Sequence, residues 1–429
     1  MGPAPHVDSY YAATAHPSAQ RAPLRESVEC DVCVIGAGIA GCSAALQLAE
    51  RGYKVIVLEE HRAGWGASGR NGGQALPGVA ASRSKMSRLI GTAAARTVWD
   101  VSVEGLALLR ELIAKHHIDC DWVAGQMFTA LKPRHERELL AEVEELQGQY
   151  GYDSVRYMER AEVRSVLASD RYTAALYDSN SGHLHPLNYN LGLAAAAQSA
   201  GATIYEGTRA EHVSSGSPAT GAVVRTSRGE VRPRYVLLCG NVYLGAAVPE
   251  LQAKIMGVST YIVATESLGA DRARALISNN AAVSDVNWVL DYFRLSADHR
   301  LLFGGRVNYS DLASFDAPAA TRRRLLRVFP QLADVRIEYS WGGYVDITLN
   351  RAPHFGRMSP DVYFLQGFSG HGVALAGIAG KLVAEAIAGT AERFDVFAAI
   401  PHSNFPGGAP LRRPALVLAM LYYRLKDLL

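Results

Sequence analysis

Two periods of apolar and polar positions alternate along this chain. Residues 32–35 (VCVI) and 54–58 (KVIVL) are short, nearly continuous apolar runs, the pattern of buried strands. Between them, residues 42–49 (CSAALQLA) are small and apolar over about two helical turns. The first strand reaches this helix through GAGIAG, residues 36–41, and the second strand ends on Glu59 and Glu60. Strand, glycine turn, helix, strand, acid is the order of a dinucleotide-binding βαβ unit. Gly36 suits the tight turn, Gly38 lets the backbone approach a pyrophosphate, and Gly41 lets helix and strand pack closely. The amides of Ala37, Ile39 and Ala40 belong to the same helix-opening segment, where free N–H groups favour an anion. Glu59 is placed to accept from both ribose hydroxyls, with Glu60 beside it.

Downstream, helical periodicity dominates residues 85–167, interrupted by a strand near 126–131. The helix at 134–150 carries five glutamates on one side and is expected to be exposed. A small-residue helix follows at 191–200, then strands at 202–205, 222–226 and 235–239. The last of these closes on Gly240 and Asn241, a second strand-to-loop turn suited to lining a cofactor, and Ala210 joins the same set. Residues 246–345 are richer in strand pattern, at 260–265, 288–295, 301–304 and 335–339. A final apolar run leads into FSGHG, residues 368–372, and a small-residue helix to about residue 389.

A chain of 429 residues exceeds one ordinary core, so two joined domains are expected. The pattern assigns residues 1–28 to an arm and 29–85, 190–245 and 345–392 to the nucleotide-binding domain. Residues 86–189 and 246–344 form a substrate domain, and 393–429 a tail and helix. With 49% apolar and 20% charged residues and a net charge of +2, the chain has no electrostatic footprint for nucleic acid. Five cysteines argue against a disulfide framework and for a reducing compartment. Cys30 and Cys33 lie on the first strand at i and i+3, where they are expected to face opposite ways and share no metal. Residues 1–25 lack the pattern of a signal peptide, and no run reaches the roughly 18 apolar residues of a membrane span. The expectation is a cytoplasmic protein with no metal site.

The GAGIAG turn with Glu59, the GASGRNGG loop at 66–73, HLHP at 183–186, LLFGG at 301–305 and FSGHG at 368–372 together resemble the D-amino-acid oxidase-like superfamily of FAD-dependent amine oxidoreductases. The likeness covers nearly the whole chain, including SYYAA at 9–13 and FPGG at 405–408. Within the superfamily it is strongest to the branch that oxidises γ-glutamylputrescine in polyamine catabolism. The resemblance implies an α/β fold: a Rossmann-like FAD-binding domain of discontinuous segments plus a mixed-sheet substrate domain. It also implies FAD as cofactor, with a small-molecule amine and oxygen as reactants and aldehyde, ammonia and hydrogen peroxide as products.

The loop Gly66, Ala67, Ser68, Gly69, Arg70, Asn71, Gly72, Gly73 and Gln74 lets backbone amides crowd a flat polar ring, with Arg70 and Asn71 addressing its edge. Gly370, His371, Gly372 and Val373 open a helix whose N-terminus suits an anionic ring. His371 is read either as a positive charge that aids electron transfer to oxygen or as a hydrogen-bonded structural histidine. Relatives acting on α-amino acids place one arginine shortly after a Trp-x-Gly and another in the turn that matches FSGHG. Here those places hold Val345 with Asp346, and Gly370, so an α-carboxylate lacks its bidentate partner. Tyr261, Trp288, Tyr292 and Tyr344 are candidates to line the substrate cavity or to belong to the core. Arg294 either reaches a distant glutamyl carboxylate or forms an exposed salt bridge. The region that carries a flavin-tethering cysteine in some relatives has none here, and His61 has no positive support as a tether, so FAD is expected to be non-covalent.

Two other enzymatic readings stay open: an oxidase of a secondary N-methyl amine or imino acid, and a membrane-associated dehydrogenase reducing quinone. The second draws on the apolar segment at 415–423, flanked by basic residues, which reads as an interfacial helix or as a helix docked on protein. Oligomeric state is left open.

Overall fold

A computed structural model describes residues 4–216, 222–307 and 316–408. Two sheets organise it. The first has the order His354–Ser359, Val362–Gln366, Gly229–Leu238, Val28–Ile35, Val55–Leu58, Thr203–Tyr205. Its central pairings are parallel, with Ile35 beside Leu58 and Leu238. The carboxyl ends of these strands meet at one edge, where an open α/β sheet presents ligands. Helices Ile39–Ala49 and Gly372–Ile387 cover one face, and every residue of the first is buried.

The second sheet runs Ile337–Thr348, Ile255–Thr265, Leu301–Val307, Tyr292–Leu295, Ala282–Asp285, Val123–Ala130, Ala174–His183, Gln74–Ala75. It is mixed, with Ala282–Asp285 parallel to Val123–Ala130 among antiparallel neighbours. The strand Ala174–His183 has no clean apolar alternation. Its polar Asp178 is buried because Tyr152, Ser181 and the Asn180 amide all donate to it.

Several local expectations change in three dimensions. The arm is partly helical and packed: Tyr10–Ala13 is a helical turn capped by Ser9, and Tyr11 is fully buried. Helix Thr92–Lys115, expected in the other domain, packs on Gly372–Ile387 against the first sheet, with Val98, Leu106, Leu109 and Leu112 in that core. Cys30 and Cys33 do not face opposite ways. The amides of Asp31 and Val32 both donate to the Lys54 carbonyl, an irregularity that resets the alternation, so both thiols share one apolar cluster. Among the described residues no group of three or more metal-ligating side chains occurs.

Arg294 joins the two halves, and neither reading of it from sequence holds. It is buried, so it forms no exposed salt bridge, and its donors are spent on protein rather than on a ligand. Nε donates to the Gly72 carbonyl (2.9 Å), Nη2 to the Leu184 carbonyl (2.9 Å) and the Tyr11 hydroxyl (3.1 Å), and Nη1 to the Leu295 carbonyl (3.1 Å). Arg294→Met should destabilise the fold by at least about 3 kcal/mol, because three buried carbonyls lose charged donors. An unchanged melting temperature would show that the clamp carries no stability.

Candidate active site

One cavity of about 610 Å³ opens between the carboxyl edge of the first sheet and the face of the second. Its nucleotide end is built by close backbone approach. Gly36 has φ 103°, and a Cβ there would sit 3.0 Å from the Cys239 carbonyl; one at Gly41 would lie 1.9 Å from the Gly36 oxygen. Gly38, Ile39 and Ala40 line the wall, and Ser68 Oγ accepts from the Ile39 amide at 2.9 Å. Gly41 and Ala37 stand behind it, Ala37 by donating its amide to Glu59 at 2.8 Å. The other Glu59 oxygen accepts from the His61 amide at 2.9 Å. Burial pushes this carboxyl up to about 7 despite those two donors. Glu60 and Ala210 line the same end, and Glu60 pairs with Arg209 at 3.1 Å.

The loop at 66–73 places Gly66, Ala67, Ser68, Arg70, Asn71 and Gly72 on the wall, followed by Gln74. Gly69 and Gly73 are off the wall, where any Cβ would collide with the Gly64 or Leu184 carbonyl. Asn71 cannot address a ligand edge with its side chain. Its Nδ2 donates to the Ala67 and Ser68 carbonyls and its Oδ1 accepts from the Gly73 amide, so it staples the loop. Arg70 is divided: Nε donates to the Trp65 carbonyl at 2.7 Å and the guanidinium lies 4.1 Å over the Trp65 ring, while Nη2 is buried without a partner. Trp341 Nε1 donates to the Arg70 carbonyl, fixing this loop to the second sheet.

Opposite stand Gly370, His371, Gly372 and Val373, at the start of helix Gly372–Ile387. Asp346 positions this turn by accepting from the Phe368 amide at 2.8 Å and from the Gly367 amide and the Asn241 side chain. Burial raises the Asp346 carboxyl to about 6. Sequence reading named Asp346 only as standing where relatives place an arginine, since only tertiary structure brings it to the turn. Burial first, then Arg351, lower His371 to about 4, which favours the neutral ring, and its Nδ1 has no hydrogen-bond partner.

Among the substrate candidates, Trp288, Tyr292 and Tyr344 are on the wall, whereas Tyr261 is not; its ring packs toward Gly342. Phe128, Ser284 and Arg351 are wall residues that the sequence reading did not single out. Gly240 and Asn241 line the cavity. Buried polar atoms without partners gather on this wall: Arg70 Nη2, Asn241 Oδ1, Tyr243 OH and His371 Nδ1. Each of these atoms is free to bond a polar ligand.

The family model for FAD dependent oxidoreductases (DAO) matches residues 31–386. The chain belongs to this family. It is 43% identical over 423 residues, 98% of each chain, to gamma-glutamylputrescine oxidoreductase of Escherichia coli (strain K12). It is 42% identical over 428 residues, 98% of this chain and 97% of the relative, to the probable oxidoreductase OrdL of Haemophilus influenzae. In fold it is similar to glycine oxidase from Geobacillus kaustophilus, with a TM-score of 0.69 at 20% identity, covering 84% of this chain and 95% of the other. L-proline dehydrogenase from P. horikoshii gives 0.68 at 20% identity, covering 85% and 94%.

The protein is thus an FAD-dependent oxidoreductase, and the wall fits that cofactor: a glycine cradle too tight for any Cβ, a half-buried acid at the strand end, and unpaired donors and acceptors between. No single helix among the described residues is long and apolar enough to cross a membrane. The segment at 415–423 lies outside the described residues.

Glu59→Gln should weaken FAD binding about 10- to 100-fold, since an amide replaces a charged acceptor. Flavin fluorescence on titration into apo-protein measures this. The raised carboxyl binds a proton more readily in the folded state, so its contribution to apo-protein stability falls as pH rises from about 4.5 toward 7. The same substitution should flatten that part of the stability profile; an identical slope would refute the assignment.

Proposed function

We propose that this chain oxidises the primary amine of γ-glutamylputrescine or a related γ-glutamylated polyamine with oxygen, giving aldehyde, ammonia and hydrogen peroxide. One wall feature carries the reading beyond the family. Beside Trp341-Gly342-Gly343, where an α-carboxylate would need a guanidinium, the cavity presents Tyr344, Val345 and the buried carboxyl of Asp346. Gly370 adds no side chain from the facing turn. A carboxylate next to the reacting carbon would meet apolar surface and an acid, whereas an unsubstituted amine carbon meets neither penalty. The full-length likeness to a gamma-glutamylputrescine oxidoreductase supports the same substrate.

FAD, when bound, supplies the acceptor for a hydride equivalent from the amine-bearing carbon. The protein's share is to bind the amine and orient its Cα–H bond. His371 Nδ1, unpaired on the wall, is placed to accept a hydrogen bond from the amine. Tyr292 wedges against Gly72 and Gly304, where a Cβ would come within 2.6 Å and 2.3 Å of its ring, so its position is fixed by both the cofactor loop and the substrate sheet. Positioning of this kind supplies much of the rate in such a scheme. Non-covalent FAD agrees with the wall: Cys239, its one cysteine among the described residues, has its thiol pushed far up by burial and so is not a thiolate. His61 stacks on Trp65 at 3.9 Å.

The purified yellow protein should release hydrogen peroxide in air with γ-glutamylputrescine, with putrescine and sarcosine far poorer. Flavin that stays oxidised on anaerobic mixing with γ-glutamylputrescine would overturn the substrate. Anaerobic bleaching without peroxide would overturn oxygen as the acceptor and keep the amine.

A further inference from the structure

A γ-glutamylated amine carries its carboxylate at the far end of an extended chain, so a selective cavity needs a donor for that anion away from the reacting carbon. Arg70 has unspent capacity. Its Nε donates to the Trp65 carbonyl at 2.7 Å, but Nη2 is buried without a partner. Among the described residues no carboxylate pairs with it, and the group acting on its charge is Tyr243. The Tyr243 hydroxyl is likewise buried without a partner, and both residues line the cavity. Burial, then Arg62 and Arg70, lower His6 to about 4, so the neighbouring ring brings no counter-charge either. A guanidinium withdrawn from water with no anion beside it is costly, and a bound carboxylate would remove that cost.

Both donors are held in place. The guanidinium lies 4.1 Å over the Trp65 ring, and Trp65 Nε1 donates to the Pro5 carbonyl at 3.0 Å. The Tyr243 ring meets Trp65 edge-on at 5.5 Å and rests on Gly66, where a Cβ would come within 3.1 Å of it. Burial raises the Tyr243 phenol, so its hydroxyl stays protonated and can donate. The pair also stands at a suitable place along the wall. Arg70 packs against Gly343, where a Cβ would fall 3.4 Å from its own, and Tyr243 meets Tyr344 edge-on at 6.3 Å. Tyr344 is 43% exposed and Asp346 is buried, so the strand Ile337–Thr348 runs inward from the cavity's mouth at Tyr344. At about 3.4 Å per residue, Gly343 and Asp346 are on the order of 10 Å apart. That separation suits a substrate whose carboxylate and reacting carbon are divided by a chain rather than by one bond.

Resting on the proposed amine substrate, we propose that Arg70 Nη2 and the Tyr243 hydroxyl together bind its remote carboxylate and so select γ-glutamylated amines over free polyamines. A charged donor and a phenol aimed at one carboxylate make short, strong bonds. In the sequence Arg70 reads as addressing the edge of the cofactor; its contact with Gly343 joins it to the substrate sheet as well.

The test is a titration into FAD-loaded protein, read by the visible flavin spectrum, with two ligands that carry no amine and are not consumed. One is N-butylglutaramate, which ends in a carboxylate; the other is its terminal carboxamide, of the same shape without the charge. The parent protein should bind the first about 10- to 100-fold more tightly, and Arg70→Met should abolish most of that ratio. Arg70→Lys should restore part of it, and Tyr243→Phe, which removes only the hydroxyl, should lower it about 3- to 10-fold. A ratio near one in the parent protein, or one that survives in either Arg70→Met or Tyr243→Phe, overturns the proposal. If Arg70→Met also fails to hold FAD, Tyr243→Phe decides: a preserved ratio there makes the cofactor the anion served. The substrate reading fails separately: it falls if γ-glutamylputrescine leaves the parent flavin oxidised, whatever the ratio shows.

Discussion

A single buried guanidinium sets how the two halves of this molecule meet. A charge taken out of water is tolerated only when its donors are matched, and Arg294 finds its acceptors on four segments far apart in sequence. Tyr11 comes from the arm, Gly72 from the glycine loop, Leu184 from the segment before helix Pro186–Ser199, and Leu295 from its own strand. The same charge, after burial, helps hold His183 and His185 near 3 and therefore neutral. Neutral His185 can accept, and its Nδ1 caps helix Pro186–Ser199 through the Asn188 amide.

From this clamp the geometry of the cofactor loop follows. Gly72 is held by Arg294, Asn71 closes the loop on itself, and Trp341 reaches across to the Arg70 carbonyl. The loop has little conformational freedom left to lose when a ligand arrives, which is how a site gains rate from position rather than from reactive side chains. The corollary is that Asn71, expected to touch the cofactor, serves it by shaping the loop.

Local chemistry was legible in the sequence and long-range chemistry was not. The GAGIAG turn, its flanking strands and Glu59 could be read because each requirement is met within about 25 residues. The second nucleotide turn at Gly240 and the helix after FSGHG were legible for the same reason. The strand Ala174–His183 was invisible because its buried Asp178 is satisfied by Tyr152, a residue in a different element. Tyr10 and Tyr11 looked like part of a loose arm because their burial depends on partners such as Asp298 and Arg294, nearly three hundred residues away. Arg294 misled for that reason: an arginine on a strand facing a cavity reads as a ligand until its acceptors are known. The cysteine pair misled in a smaller way, through one irregularity at Asp31 that no periodicity encodes.

The strand Ile337–Thr348 ties cofactor and substrate into one electrostatic arrangement. Trp341 fixes the glycine loop, Asp346 fixes the turn before helix Gly372–Ile387, and the chain then leaves through Arg351. For the proposed substrate the consequence is that an adjacent carboxylate would lie beside Asp346, whereas a remote one would not. Because the Asp346 carboxyl is raised toward 6 by burial, its charge is held against a solvation penalty, and what keeps it ionised is the set of donors on Phe368, Gly367 and Asn241. Those same donors build the cofactor's turn. The acid that the proposed substrate would have to pass is thereby also the group that holds the turn before helix Gly372–Ile387, so a substitution of Asp346 alters both together.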